Sequence, residues 1–366
     1  MLLDLSSAFD LVDQNLLLEK LKIYHFDTYI LTWIESYLSE RSQAVWVDNS
    51  LSSFLYCPIG VPQGSNLGPL LFLIYYNDLA FSLPCEVDVY ADDSTLTVSG
   101  NSVEEIGIRL TEGCRVVNDW MQGNKLKLNA EKTHIMTVGT SVRLRNQDSV
   151  VKVKMDGVDL KENDDHSEKL LGVHIQSDLK WHMQVNELLK KLQTRLHALE
   201  KLRYSLPFSQ KKIIVEGIFT SVLVYCLPVF AGCDQIELDS LQKMQNKAAR
   251  LVTNLGIRTA RCEIFRQIGW MTVRQLSFYY TALSTYRIRK HQEPEYLYRI
   301  MSRDNRSAKI IIPNTRLSLA KHSYCFRGSV QWNLLPETVR SCQTVTSFKK
   351  LLKKWIHENV PKFANT

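Results

Sequence analysis

Residues 86–100 read EVDVYADDSTLTVSG. Val87, Val89 and Tyr90 on one side and Thr95, Leu96, Thr97 and Val98 on the other make two β-rich arms around a short acidic centre, the pattern of a hairpin. Asp92 and Asp93 fall at its apex. Adjacent carboxylates repel one another unless a cation or water screens them. On spacing alone two readings stay open. One is a solvated turn. The other is a phosphoryl-transfer site in which these carboxylates, with Asp4, hold two metal ions about 3.5–4 Å apart. Asp4 by itself, after a short apolar run, reads as an ordinary cap or turn residue.

Upstream of the hairpin, Leu2, Leu3 and Leu5 suggest a buried strand end around Asp4. The stretch DLVDQNLLLEKLKIY (10–24) has helical spacing, with Asp10 or Asp13 near its N-cap, and a second helix is expected after Asp27. QAVWVDNS and LSSFLYCPIG predict two strands about a polar turn at Asp48–Ser50, and NLGPLLFLIYYNDLA (66–80) predicts one apolar helix. Downstream, Ser102 and Glu105 form a capping-box pattern for a helix reaching about Gly123. NKLKLNAEKTHIMTVG (124–139) predicts a loop and strand, VVKVKMDGVDL a hairpin about Asp156–Gly157, and KLLGVHI (169–175) another strand. From Trp181 onward the pattern is helical, and from about Arg258 it is mixed and basic, with Pro313 and Pro336 as punctuation.

Charge is divided along the chain. Residues 1–140 carry 8 Lys+Arg against 18 Asp+Glu, whereas residues 141–366 carry 37 against 20, so the net charge of +7 conceals a −10 part and a +17 part. Such a division points to a polyanion for the basic part and a cation for the acidic part. The 366 residues suffice for two or three domains, and the composition excludes collagen, disulfide miniproteins and a wholly disordered chain. Eight scattered cysteines without a C-x-x-C argue against a disulfide framework or zinc site and for a reducing, intracellular compartment. MLLDLSSAFD lacks the pattern of a signal peptide. Residues 217–233 lack charge, but Pro228 and Gly232 interrupt them, which favours a buried helix over a membrane anchor.

Four segments occur in one order: LDLSSAFDLVDQNLLLEKL (3–21), GVPQGSNLGPLLFLIYYNDL (60–79), YADDSTL (90–96) and LKLNAEKT (126–133). Together they resemble the palm of reverse transcriptases, and most closely the non-LTR retrotransposon branch (LINE-type, jockey/CR1-like). KLLGVHIQSDLKW (169–181) is similar to that family's primer grip, and LDSLQKMQNKAARLV, WNLLP and FKKLLKKW carry the resemblance into the tail. The resemblance implies an α+β fold: a right-hand polymerase palm, an antiparallel βαββαβ sheet with helices on one face, then an α-helical thumb and a basic helical tail. The expected boundaries are 1–180, 181–257 and 258–366.

The same resemblance implies roles. Asp4, Asp92 and Asp93 would be the catalytic carboxylates and, with the Leu5 carbonyl, the ligands of two Mg²⁺ (Mn²⁺ as substitute). Phe9 would lie under the incoming sugar and exclude a 2′-hydroxyl; its plainer reading is a core Phe. Gly60, Gln63 and Gly64 would contact the incoming nucleotide, or simply form a Pro/Gly turn that Ser65 and Asn66 follow into a helix. Lys132 would donate a proton to the pyrophosphate leaving group, or be an exposed structural lysine. Asp10 and Asp13 fall on family positions but are read first as helix caps. Tyr90 is expected to pack while lining the primer side, with Ser65 also near nucleic acid. Lys190, Lys191 and Arg195 on a thumb helix would meet phosphates, or form a solvated face.

The expected partners are an RNA template, a DNA primer and deoxynucleoside triphosphates, with no membrane. The expected activity is RNA-directed DNA polymerisation. Because the first carboxylate stands at position 4, the chain is expected to be a fragment without the fingers. A non-catalytic nucleic-acid-binding remnant of a mobile element is the alternative.

Overall fold

In the computed structural model, which describes residues 1–145, 151–155, 157–160, 162–303 and 309–359, the chain forms two compact units. The first comprises Met1–Thr137 and Ser141–Ser167, the second Val138–Thr140 and Glu168 onward. Both are rich in helix, and the sheets are small and antiparallel.

The first unit opens with β1 (Leu2–Leu3), then α1 (Gln14–Ile23) and α2 (Thr28–Leu38). Asp13 caps α1 by accepting from Leu16 N, and Asp27 caps α2 by accepting from Tyr29 N. Leu17 and Leu21, one turn apart, are fully buried. Burial of one such leucine stabilises by about 1.5–3 kcal/mol. β2 (Ser42–Gln43), β3 (Trp46–Val47), β4 (Ser50–Leu51) and β5 (Leu55–Tyr56) follow, with β3 paired to β4 and β2 to β5 about the expected polar turn.

The helix expected over 66–80 is two pieces, α3 (Gly68–Tyr76) and α4 (Leu79–Ser82). The break has a physical cause in α1. The largely buried Lys20 ammonium donates to Tyr75 O and Asp78 Oδ1, both at 2.7 Å, and so takes a carbonyl that a continuing helix would offer to Leu79 N.

β6 (Glu86–Tyr90) and β7 (Asp93–Thr97) form the expected hairpin, and the strand order is β1–β7–β6. α5 (Val103–Gly123) starts at the expected cap: Ser102 Oγ accepts from Glu105 N, while the Glu105 carboxylate accepts from Asn101 N, one residue ahead of the usual box. Leu110, Cys114, Val117 and Met121 form its buried stripe.

The strand expected in 124–139 does not form as a regular element. Asn129 O accepts from both Lys132 N and Thr133 N, closing a turn, so only the isolated bridges Leu5–Leu128 and Leu2–His134 remain beside β1. The sheet is therefore three-stranded with a flanking loop, smaller than the βαββαβ sheet expected. α6 (Ser141–Arg145) precedes β8 (Lys154–Met155) and β9 (Val158–Asp159), which pair about Gly157 (φ +79°); Asp156 of the expected turn lies outside the described residues.

In the second unit, the single strand expected over 169–175 is a hairpin, β10 (Ser167–Leu170) and β11 (Val173–Gln176). Leu171 and Gly172 both take positive φ (+47° and +82°) and turn the chain there. Tyr225 Oη holds that turn by donating to Leu171 O at 2.6 Å. After it come α7 (His182–Glu200), α8 (Phe208–Val215), a π-helical turn (Glu216–Thr220), α9 (Ser221–Val224), α10 (Leu227–Phe230) and α11 (Gln235–Thr253).

The apolar run 217–233 is thus broken, most sharply at Cys226 (φ +51°), with Phe219, Leu223, Leu227 and Phe230 fully buried. Among the described residues, no helix is long and apolar enough to cross a membrane. The tail is more regular than expected: α12 (Arg261–Ile268), α13 (Val273–His291), α14 (Glu295–Met301), α15 (Ser318–Lys321), α16 (Tyr324–Leu334), α17 (Glu337–Arg340) and α18 (Val345–Glu358). Phe278, Tyr286, Trp332, Phe348, Leu352 and Ile356 form its core. All eight cysteines are free.

Candidate active site

Antiparallel register brings the first two acidic positions together. Leu2 lies opposite Thr95 and Leu3 opposite Ser94, so Asp4 leaves β1 at the end where Asp93 begins the antiparallel β7. Tyr90 pairs with Asp93 across a two-residue turn, Ala91–Asp92, with Ala91 at φ +56°. Asp93 is therefore the first residue of β7, and Asp92 alone sits in the turn. Electrostatics agree with the register. Partial burial, then the negative charges of Asp92 and Asp4, raise the Asp93 carboxyl above the ordinary aspartate range.

Asp4 is held from the other side as well. Its backbone N donates to Thr133 Oγ1 at 3.3 Å, and its carbonyl accepts from Asn129 N at 2.9 Å. Leu5 follows with its side chain buried. Lys132, three residues after Asn129 and just before Thr133 in this clamp, is exposed.

Beneath the carboxylates lies an aromatic stack. The half-buried Phe9 ring lies 4.6 Å from Phe72, and Phe72 lies 5.4 Å from Tyr76, with interplanar angles of 21° and 16°. Contacts of this kind contribute about 0.5–1.5 kcal/mol each beyond area burial. Tyr76 Oη is 3.0 Å from the buried Ser94 Oγ, next in chain to Asp93. Burial pushes the Tyr76 phenol up to about 12; the Ser94 hydrogen bond opposes the shift and the Asp92 charge adds to it.

The GVPQGS loop is tied to the turn that carries Phe9 and Asp10. Gly60 N donates to Val12 O at 2.7 Å, and Val61 N to Phe9 O at 2.9 Å. Gly60, at φ +86°, leaves no room for a Cβ, which would stand 2.9 Å from Asp10 O. Gly64 has φ +75° with nothing within 4 Å of a built Cβ, so conformation rather than crowding calls for glycine there. Gln63 Nε2 donates to Asp10 Oδ1 at 2.7 Å. Asp10 is accordingly no helix cap; Asp13 has that role. The Ser65 hydroxyl donates to Pro62 O and accepts from Gly68 N, so both its functions are used inside the turn that starts α3.

Tyr90 is 67% exposed and does not pack as expected. Its place at the end of an edge strand, across from an exposed Asp93, gives it no core to enter. On α7, Lys190 is ion-paired with Glu187 at 2.7 Å, Arg195 Nη1 donates to Ile218 O in the π turn, and Lys191 is exposed.

Two residues, Gly68 and Arg41, had escaped the sequence reading, and the role of a third, Asp10, was read there as a helix cap. Asp10 orients Gln63. Gly68 is required because a Cβ there would stand 2.4 Å from Pro62 O. Arg41 lines a cleft of about 560 Å³ with Asp10, Gln14, Tyr56, Pro62 and Gln63. Arg41 is the one Lys or Arg between Lys22 and Arg109, a signal visible in the sequence.

The stretch that builds this site, residues 1–175, matches a family described as reverse transcriptase (RNA-dependent DNA polymerase). Over those residues the chain is similar to reverse transcriptases. Over 305 residues it is 25% identical to a probable RNA-directed DNA polymerase from transposon BS of Drosophila melanogaster. Over 262 residues it is 27% identical to the RNA-directed DNA polymerase from mobile element jockey of the same species. The probable polymerase from transposon X-element is 25% identical over 249 residues. The BS and jockey matches cover 79% and 69% of this chain but 32% and 28% of those proteins, so it spans about a third of the curated relatives it matches.

Reverse transcriptases of this family typically use Mg²⁺. The donor set here is all oxygen, the choice of a hard cation. Among the described residues, no three His, Cys, Asp or Glu side chains stand close enough together to hold a metal ion by themselves. Mg²⁺ is ordinarily held by one or two carboxylates plus substrate phosphates and water rather than by a protein cage, so an open carboxylate group of this kind fits it.

Proposed function

We propose that this reverse transcriptase domain carries out RNA-directed DNA synthesis, transferring deoxynucleotides to a DNA primer 3′-hydroxyl on an RNA template, as part of a non-LTR retrotransposon polymerase acting inside the cell. One observation supports the reading: Asp4 follows β1 at the end where Asp93 begins β7, and partial burial together with the charges of Asp92 and Asp4 raises the Asp93 carboxyl. Like charges gathered at a sheet end repel one another, and a bound cation would offset that cost.

Asp4, Asp92 and Asp93, with the Leu5 carbonyl, would hold two Mg²⁺ or Mn²⁺ ions. When bound, the ions supply activation of the attacking hydroxyl and stabilisation of the leaving oxygen. The protein residues do the rest. Phe9, fixed on Phe72, presents a rigid ring edge that excludes a ribose 2′-hydroxyl. Gln63, oriented by Asp10, contacts the incoming nucleotide, and the Gly60 and Gly64 backbone allows its close approach. Arg41, in the same cleft, offers a fork for phosphate oxygens. Lys132, exposed, donates a proton to the departing pyrophosphate.

Primer extension on homopolymeric RNA with Mg²⁺ and deoxynucleotides tests this. Wild-type extension that Asp92→Asn abolishes is the expected result. Salt-sensitive RNA binding by the wild type without any extension would replace the proposal with a non-catalytic binding role.

A further inference from the structure

The basic excess sits mostly at one end of the second unit. Residues 141–257, which include α7, carry 17 Lys+Arg against 14 Asp+Glu; residues 258–366 carry 20 against 6, a net of +14. Within this tail, α13, α16 and α18 together hold nine Lys and Arg and a single acid, Glu358. Three of the nine are committed to structure: Arg274 pairs with Asp239, Arg289 donates to Met301 O, and Arg327 donates to the Pro228 and His322 carbonyls.

Four of the others share one face. On α18, Lys349, Lys350, Lys353 and Lys354 cover an arc of roughly 140° at 3.6 residues per turn, with His357 among them. Lys354 has a long ion pair of 3.9 Å with Glu358; among the described residues, no carboxylate lies within 4.0 Å of Lys349, Lys350 or Lys353. Lys353 Nζ stands 5.7 Å from the Tyr279 ring centroid, and exposed Arg287 and Lys290 lie on α13, the helix against which α18 packs. Four cations on two successive turns repel one another unless a polyanion meets them.

We propose that the Lys349–Lys350–Lys353–Lys354 face of α18 is a contact surface for the sugar-phosphate backbone of single-stranded nucleic acid. The chemistry favours that partner over others. A helix that binds lipid inserts its apolar face, but Phe348, Leu352 and Ile356 are fully buried in the protein core. A protein partner would call for an apolar or aromatic anchor at the centre of the patch, and the lysine face has none. Lysines are point charges without the planar fork used for base edges, which suits backbone contact without sequence preference. The identity of the polyanion rests on the polymerase reading above; the charged face does not.

The test is fluorescence anisotropy of the full chain with labelled oligo(rA) and oligo(dA) between about 50 and 200 mM KCl. Replacing the four lysines with Gln should weaken binding about ten-fold or more and flatten the log–log salt slope by about 2 to 3, since each single-strand phosphate contact contributes about 0.7. Replacing them with Arg should keep affinity and slope, which separates lost charge from lost folding. A larger loss on oligo(rA) identifies RNA as the backbone held, and a larger loss on oligo(dA) identifies DNA.

An unchanged slope in the Gln variant overturns the inference. So does a Gln variant that keeps nucleic-acid affinity but loses binding to phosphatidylserine vesicles. Failure of the polymerase reading would instead appear as absent primer extension with normal lysine-dependent binding.

Discussion

Gln63 donates from Nε2 to Oδ1 of Asp10 at 2.7 Å, joining two loops 53 residues apart. A side-chain amide that tumbles presents donor and acceptor at random; one fixed by a carboxylate presents its oxygen and remaining N–H in one orientation. Asp10→Ala should therefore raise KM for the deoxynucleotide by about five-fold, the scale of one hydrogen bond near 1 kcal/mol, with kcat changed less. Asp10→Asn should be milder, because its carbonyl oxygen still accepts. Steady-state incorporation kinetics check this. An Asp10→Ala enzyme with wild-type KM would show that the bond positions nothing.

The raised Asp93 carboxyl makes a stability prediction with a definite sign. A carboxyl whose folded value is raised contributes stability fully below its unfolded value of 3.8, and that contribution is lost as pH rises through the raised folded value. At neutral pH the ionised group is a burden on the fold. Asp93→Asn should then raise Tm at pH 7, with the gain shrinking toward about pH 4, where aspartates protonate. Mg²⁺ or Mn²⁺ should raise the wild-type Tm more than that of the variant. Differential scanning across pH and metal concentration measures both, and a variant less stable than wild type at pH 7 would contradict the electrostatics.

Three glycines of one loop should rank by what a methyl group would meet. Gly68→Ala drives Cβ to 2.4 Å from Pro62 O and should cost about 3 kcal/mol or fail to fold. Gly60→Ala combines φ +86° with a 2.9 Å approach to Asp10 O and should cost about 2 kcal/mol. Gly64→Ala keeps only the conformational cost, about 1 kcal/mol, since nothing lies within 4 Å. Urea denaturation of the three variants gives the order; a Gly64 variant worse than the Gly68 variant would reverse it.

Lys20 should behave as a structural cation. Lys20→Ala would strip Tyr75 O and Asp78 of their donor and remove an ammonium packed against Tyr75 and Trp120, 4.8 and 4.7 Å from their centroids. A loss of about 1–3 kcal/mol in folding stability is expected. Lys125→Ala, which removes an exposed lysine's bond to Asp13, should cost less than 1 kcal/mol. Equal losses would mean that burial of the ammonium contributes nothing.

What the sequence made legible was local. Ser102 three residues before Glu105 marks the start of α5, and β-rich arms around ADD mark the hairpin, because each pattern is complete within a few residues. What escaped depended on partners far along the chain. Nothing near Asn77 breaks the helix; the cause is Lys20. Asp10 looks like a cap until Gln63 is placed against it. Leu171–Gly172 hides a turn inside an apolar run because Leu171 takes positive φ without any signal of its own. The sum of charges from residue 141 onward also concealed that the surplus lies beyond residue 258, away from α7 where lysines are most easily noticed. The order of the four segments was legible, whereas the small size of the sheet beneath them was not, since it turns on the Asn129 turn interrupting a would-be strand.

Along β7, Ser94 and Leu96 enter the core while Asp93 and Thr97 face outward. That alternation ties the coding sequence to a fixed length. One codon gained or lost between residues 94 and 97 would turn part of the strand over, burying polar groups and exposing Leu96, or would pull Asp93 out of step with Asp4. Base changes at exposed Val89 or Thr97 would pass with little effect. In copies of this gene, in-frame indels should therefore be purged from codons 86–97 while synonymous and conservative changes accumulate. A survey of indels against substitutions in that window would distinguish copies still under selection from those released from it.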